Sequence, residues 1–553
     1  MLGVRRDWDD QQRPRISSAR TTGSFFKFYL HCEFDIPSPM SIAIISNSIP
    51  VQKRFHPLLR DLGLTSATQV VTFVAGMVVI STFGRLLGAA LLAEYLLIRR
   101  VAAWLNGTQL GLGVSLPRCV AYASGNSTRS PESYFVAATI SLCIFTAALL
   151  LPFNLLPATF GRLFFGDARL QNLILPLSFF FTGLVTHAVV YGYYRGCLRM
   201  GVANILQCSN LAAVPLICLG TLFHTHSVTV IVIAMGTLTT LSSLLFALPI
   251  VRLINPSCLR IKEHVYELMS YGLRRVPGYL SGGSLFTLGP VIAAHYVSID
   301  HVAHLLLGIS MLTAVSISTE PLGLILLSKV SMMLAQNRKE EVRLCVKHLL
   351  ATVVAFSVFV TVQVDVFVDV LVRAWVGPSF TGHTLVIRIV LLATPFYLLT
   401  VAFRSIIDAG SFKAYGTRNG LISVIVFLLL VGIEIIVLPA HLLLGGIAAA
   451  LLIALITLAW LTQATLRLLF QVSFPWRDSI SLVVLSLLLG GAALLIHWNG
   501  GFRTSVPELL IIEVVLSVLF VSALIRQDPP WLQFLCRTIF VQRDVAVEES
   551  VAG

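Results

Sequence analysis

Acidic residues are scarce in this chain, 26 Asp and Glu among 553, and charged residues of both signs reach only 12%. A soluble domain carries roughly 25%, so no soluble catalytic domain fits the composition. The nine cysteines include no pair at the Cys-x-x-Cys spacing of zinc or redox sites. No Ser-His-Asp grouping, metal cluster or phosphate-cradling glycine loop occurs, which removes the common catalytic motifs. Residues 1–60 hold no signal peptide: basic and acidic residues run through them, and the apolar patch at 42–45 is too short. Residues 1–39, ahead of Met40, read as a disordered extension or a misplaced start.

What the chain has instead is apolar length. Hydrophobic residues make up 56% and mean hydropathy is +0.87. About fourteen stretches long enough for a ~30 Å hydrocarbon core recur between Leu64 and Ile525. They are approximately 66–84, 88–117, 132–152, 173–194, 204–222, 228–251, 272–297, 302–328, 348–372, 383–403, 419–438, 441–463, 479–497 and 506–525. The Lys and Arg between them alternate. Twenty-nine lie in the two tails and the even-numbered loops, against five in the odd loops: Arg85, Arg162, Arg169, Arg373 and Arg503. By the positive-inside bias both termini are cytoplasmic, in a multi-pass inner-membrane protein. The net charge of +13 is then explained by an anionic leaflet, and no nucleic-acid partner is expected. The cysteines fall within spans or on the cytoplasmic side, where no disulfide framework is expected. The sequons at Asn106 and Asn126 fall in a span and a cytoplasmic loop and read as chance matches.

Short strings recur at a near-constant offset. Leu116-Pro117-Arg118 and Leu327-Ser328-Lys329, like Phe164-Phe165-Gly166 and Trp375-Val376-Gly377, are 211 residues apart; Gly196 and Gly410 are 214 apart, Arg252 and Arg467 215. Six spans per repeat is even, so the halves run parallel. Ile261, Val265 and Leu268, interleaved with charge, fit an amphipathic helix joining them at the membrane surface. The expected architecture is all-α and polytopic: a disordered cytoplasmic tail 1–62, a six-helix lobe 63–255, a linker 256–271, a second six-helix lobe 272–470, two added helices 471–526 and a tail 527–553.

The 6 + 6 + 2 order and the inter-lobe linker, with the strings Leu87-Gly88 and Tyr95, Gly111-Leu112-Gly113 running into Pro117-Arg118, and Trp375-Val376-Gly377 with Phe380, resemble the polysaccharide-transporter (O-antigen-type flippase) branch of the multidrug/oligosaccharidyl-lipid/polysaccharide exporter superfamily. The resemblance covers about residues 60–525. It implies translocation of undecaprenyl-pyrophosphate-linked sugars to the outer leaflet, with the glycan polymerase and glycosyltransferases of the same pathway as partners.

Five basic residues fall inside the spans: Arg99, Arg100, Arg274, Arg275 and Arg388. Arg99 and Arg100 lie eleven and twelve residues into the second span, about 16–18 Å along a helix. Their i±3 and i±4 neighbours include no acid, so no pair within the helix neutralises them. They are candidates to hold a pyrophosphate, or else they pair with an acid on another helix such as Glu320. Arg274 and Arg275 begin the seventh span, where they either guide an anionic headgroup or simply sit at the interface. Arg388 completes the substrate-binding candidates. Asp365, Asp369, Glu94, Glu320 and Glu434 are acids at membrane depth and candidates for coupling to a proton or sodium gradient. Asp369 is expected to pair with Arg373 four residues on, leaving Asp365 without that partner. His187 and His295 read as helix-packing donors.

The leading reading is an alternating-access flippase for a lipid-linked oligosaccharide, with a peptidoglycan-type precursor as alternative cargo. The alternative is a drug or cation antiporter of the related multidrug-and-toxin extrusion class, which would want acids in its cavity. An enzyme is not expected, since the longest outer loop, about 153–172, holds Asp167 as its one acid. No cofactor or bound metal is expected.

Overall fold

The computed structural model describes residues 52–124, 130–256, 259–316, 319, 330, 333–334, 338–411, 413–474, 476–499 and 505–526, and from Pro57 onward the chain forms one compact unit. Among the described residues every regular element is helical. In order these are α1 Gln52–Asn106, α2 Leu112–Ser124, α3 Pro131–Leu155, α4 Pro157–Phe165, α5 Ile174–Gly196, α6 Met200–Cys208, α7 Val214–Thr225, α8 Val228–Val251, α9 Ile261–Gly272, α10 Val276–Tyr296, α11 Ile299–Ser316, α12 Lys339–Val366, α13 Val368–Trp375, α14 Thr384–Leu391, α15 Thr394–Gly410, α16 Tyr415–Val437, α17 Ala440–Phe470, α18 Trp476–Asn499 and α19 Val506–Arg526.

α1 is two arms. Gly88 has φ 78° and ψ −174°, a conformation that only glycine adopts without strain. Phe83 and Tyr95 stack with ring centroids 4.2 Å apart, whereas twelve positions on an unbroken helix would separate them by about 18 Å. The chain therefore doubles back at Gly88, giving separate arms 52–87 and 89–106. Helix is already present at Gln52, inside the expected tail 1–62. Leu58, Leu59 and Leu62 are residues of high helix propensity.

Among the described residues eleven helices are long and apolar enough to cross a membrane, or twelve if 378–391 and 394–410, bent by 45°, form one broken span. This is a multi-pass membrane protein, and the count of fourteen is not reached on that measure. Two causes are visible among the described residues. The Gly88 hairpin joins two expected spans into one helix, and α10 carries Gly278, Ser281, Gly282, Gly283, Ser284 and Pro290, which dilute its hydropathy. Large apolar side chains such as Ile436, 84% exposed, face outward. In water such a surface would aggregate; in lipid it is the matching solvent.

Small residues set the helix contacts. α5 lies on α8 with Gly183 against Gly236, where a side chain on Gly236 would meet the backbone of Phe179. α9 packs on α2 and α3 through buried His264 and Leu268. The Tyr134 hydroxyl donates to Glu267, and the Tyr134 ring lies 4.0 Å from that of His264. The terminal pair α18 and α19 covers α12: Phe359 stacks on Phe520 at 4.3 Å, and Gly490 meets Val362.

Candidate functional site

A cavity of about 380 Å³ lies between the two arms of α1, α5, α7, α8 and α11, with Trp375 at its wall. Arg99 and Arg100 both face it, and no Asp or Glu is among the lining residues. The Arg100 guanidinium donates from Nη2 to Ser310 Oγ and Thr313 Oγ1, each at 3.4 Å, the long end of hydrogen bonding. Arg99 lies 5.5 Å from the Tyr95 ring centroid, a cation–π distance. Neither arginine forms an ion pair with a described residue. On the opposite wall Asn210 sits in a π-helical turn, Ser209–Ala213, between α6 and α7. Its amide contacts His187 Nδ1 at 3.0 Å and Ser243 Oγ at 2.8 Å. Such turns swing one side chain out of register and are frequent at functional sites.

Two seams close around this space. At the Gly88 end, the Trp375 indole donates to the Met77 carbonyl at 2.9 Å, the Ser81 hydroxyl donates to the Trp375 carbonyl, and Arg85 donates to the carbonyls of Ala374 and Trp375. Gly84 makes room for Val376 there. At the other end, the Trp104 indole donates to Ser284 Oγ at 2.9 Å, and Gly111 lies directly on Gly272. Gly111 has φ +69°, so a side chain there would be both strained and in collision. One seam is made of polar groups meeting carbonyls, the other largely of glycine meeting glycine.

The remaining candidates are spread apart. Arg388 does not face the cavity: its Nη1 donates to the Asp365 carbonyl at 2.5 Å and to Asp365 Oδ2 at 3.4 Å, and its Nη2 to Asp369 Oδ2 at 2.6 Å. Asp369 thus pairs with Arg388 on α14, while Arg373 points to the surface. Asp365, expected to lack Arg373, has Arg388 as its partner instead. The short break at Phe367 between α12 and α13 aims both carboxylates at the neighbouring helix. Glu94 is half-buried and makes no hydrogen bond or ion pair with a described residue; Glu434 packs against Gly446 with Oε2 buried and unbonded. Glu320 lies outside the described residues. Arg274 and Arg275 are exposed, and the Arg275 guanidinium lies 4.3 Å from the Tyr271 ring centroid, with that of Arg118 at 4.2 Å.

Residues 58–324 match the family model described as polysaccharide biosynthesis protein. The match covers a little under half of the chain. No curated protein matches the sequence. Among solved structures, the lipid II flippase MurJ in an inward closed conformation is similar with a TM-score of 0.66 at 14% identity, covering 84% of this chain and 98% of that one. A multidrug resistance MATE family transporter of the MOP superfamily in an inward-facing conformation gives 0.56 at 15%, covering 73% and 96%. The eukaryotic MATE transporter AtDTX14 gives 0.54 at 14%, covering 78% and 99%. The family match and these folds bear out the resemblance read from the sequence. The three solved structures share the fold of this chain.

Sequence reasoning passed over Asn210, Ser310, Thr313 and Tyr397. A signal existed for the first. Asn204, Gln207 and Asn210 are amides three residues apart in an apolar stretch, the spacing of one helix face, and all three are buried. Ser310 and Thr313 carry no such signal, because hydroxyls in membrane helices usually bond back to their own helix, as these also do.

Proposed function

We propose that this protein is an alternating-access flippase that carries a polyprenyl-pyrophosphate-linked oligosaccharide from the cytoplasmic to the outer leaflet of the inner membrane, with both termini cytoplasmic. One observation carries the reading: Arg99 and Arg100 face a cavity with no acid among its lining residues. On the most lenient scale each costs about 2.5–3.5 kcal/mol at mid-bilayer. No described residue neutralises them, and the anion that would do so is the cargo. Guanidinium groups suit a pyrophosphate because each offers two parallel donors. A drug or cation antiporter would place the opposite charge here.

The placement of the pair supports rocking of two halves. Arg100 reaches from the second arm of α1 to α11, bonding positions 210 and 213 residues ahead, close to the 211-residue offset of the repeated strings. A site where the repeats meet is where such transporters hold substrate. The two seams would open in turn, the Trp375 seam toward the outer face. The prenyl tail stays in lipid. Coupling to a proton or sodium gradient falls to Glu94 better than to Asp365 or Asp369, whose charge Arg388 offsets. The lipid-linked sugar would come from glycosyltransferases and pass to a glycan polymerase.

Reconstitution in liposomes with fluorescent undecaprenyl-pyrophosphate sugar tests this. Arg99→Gln/Arg100→Gln should reduce translocation to the protein-free background while inserting normally. A wild-type rate in that variant would remove the arginines from the mechanism; transport of cationic drugs with no lipid translocation would favour the antiporter.

A further inference from the structure

Behind Arg100 lies a second cavity, about 240 Å³, enclosed by α10, α15, α16 and α17. Its lining includes Tyr279, Phe286, Tyr397, Thr400, Asn419 and Thr462, with Arg404 its one charged residue. The two cavities are neighbours. Tyr397 lines the second and lies within electrostatic reach of Arg100, and Trp104, one turn beyond Arg100, donates to Ser284 and abuts Gly283, which lines the second cavity. Phe286 meets Tyr397 edge to face at 5.0 Å in the lining of the second cavity.

The charge around the two spaces differs. Arg404 has Asp408 one helical turn on along α15, within electrostatic reach. Among the described residues Arg100 has no such carboxylate. An anion is therefore drawn to the first cavity, whereas the second presents a balanced charge with hydroxyls and an amide on aromatic and glycine walls. Thr400 and Thr462 each donate to a carbonyl of their own helix, at 3.1 and 2.8 Å, leaving the hydroxyl oxygen to accept from an incoming O–H. The glycine floor leaves the space open: a side chain begun at Gly282 or Gly416 meets nothing within 4 Å.

We propose that this second cavity is a saccharide subsite, taking the first, neutral sugar ring of the cargo while Arg99 and Arg100 hold its pyrophosphate. This rests on the flippase reading. The volume falls below the ~300–1,000 Å³ of drug-sized sites, which suits one ring and not an oligosaccharide. A few fixed polar groups on a largely apolar wall are the usual means of orienting a small polar ligand. Sugar selectivity would then lie in α10, α15, α16 and α17, and the grip on the lipid pyrophosphate in α1.

The test is binding to the full-length protein in lipid nanodiscs. The probes are bare undecaprenyl pyrophosphate and the same lipid carrying one glucosyl, galactosyl or N-acetylglucosaminyl residue. Wild type should bind at least one sugar-bearing lipid about tenfold more tightly than the bare lipid, the worth of one or two net hydrogen bonds. Gly282→Leu, which fills the cavity, should abolish that preference and leave the bare lipid's affinity unchanged. Tyr397→Phe, which keeps the ring, should reduce the preference a fewfold. No preference in wild type, or an unaltered preference in Gly282→Leu, overturns the subsite. Equal loss of bare and sugar-bearing lipid in Gly282→Leu with an unchanged Tm also overturns it; if Tm falls, the unaltered or reduced preference of Tyr397→Phe decides. Loss of bare-lipid binding in Arg100→Gln is the separate mark of the flippase reading, so either can fail alone.

Discussion

Two arginines in the membrane region are held in opposite ways. Arg388 lies between Asp365 and Asp369 and is half-buried with both. Arg100 lies between two hydroxyls, each at 3.4 Å, and faces open space. The first has its charge compensated within the fold, so its work is structural. Among the described residues the second is bonded only to neutral groups, which a phosphate oxygen can replace. At membrane depth, the partner of a charge separates a structural role from a transport role better than the charge itself does.

Breaking Arg388 should give the largest stability effect. Arg388→Leu leaves two facing carboxylates without their cation, and removal of one partner from a buried pair costs about 3 kcal/mol or more. The expected result is a marked fall in Tm of the purified protein in detergent, with restoration in Arg388→Leu/Asp365→Asn/Asp369→Asn. An unchanged Tm would mean that the contact does not hold α12, α13 and α14 together.

The same experiment on Arg100 should come out reversed. Arg100→Gln removes a charge that no described residue compensates, so Tm should hold or rise. Affinity for undecaprenyl pyrophosphate should drop about tenfold to a hundredfold, the range of charge-assisted hydrogen bonds. A large loss of Tm with unchanged affinity would erase the distinction between the two arginines.

Much of this contrast was legible in the sequence, and the part that was not has a physical cause. Arg99 and Arg100 stood out because a helix lets one list every neighbour within reach, and none was acidic. The Gly88 hairpin was legible as a span boundary. Arg388 was not legible: its partners lie 19 and 23 residues away on other helices, and reasoning within one helix offered Asp369 the wrong mate, Arg373. The second cavity was hidden for a similar reason. Its glycines, hydroxyls and aromatics are scattered over 278–462 and read singly as helix-packing residues. Only the convergence of four helices makes them a site.

The seams sharpen the comparison at a smaller scale. At the Gly88 end the closure is polar, so it can be weakened one bond at a time; at the Gly111 end it rests on backbone contact, which a single methyl group disrupts. Trp375→Phe keeps an aromatic ring while losing the pyrrole ring and its N–H donor to Met77, worth about 1 kcal/mol, or a fewfold shift between open and closed states. Distances between spin labels on the ends of the first arm and α13 should show a larger open fraction. No change would mean that Val376 against Gly84 carries the closure.

The smallest effect is expected where Arg100 itself is parked. Ser310→Ala/Thr313→Val removes both hydroxyls while nearly preserving volume. The lost bonds are long, and the hydroxyls also bond to their own helix, so Tm should move by no more than about 0.5 kcal/mol in equivalent stability. Affinity for the pyrophosphate should change at most threefold, because the phosphate replaces these oxygens and does not share the guanidinium with them. A small gain in affinity would fit the parking role well, since nothing need then be broken on binding. A hundredfold loss would show that Ser310 and Thr313 stay bonded to Arg100 in the loaded state, making the hydroxyls part of the grip and Arg100 as fixed in its own way as Arg388.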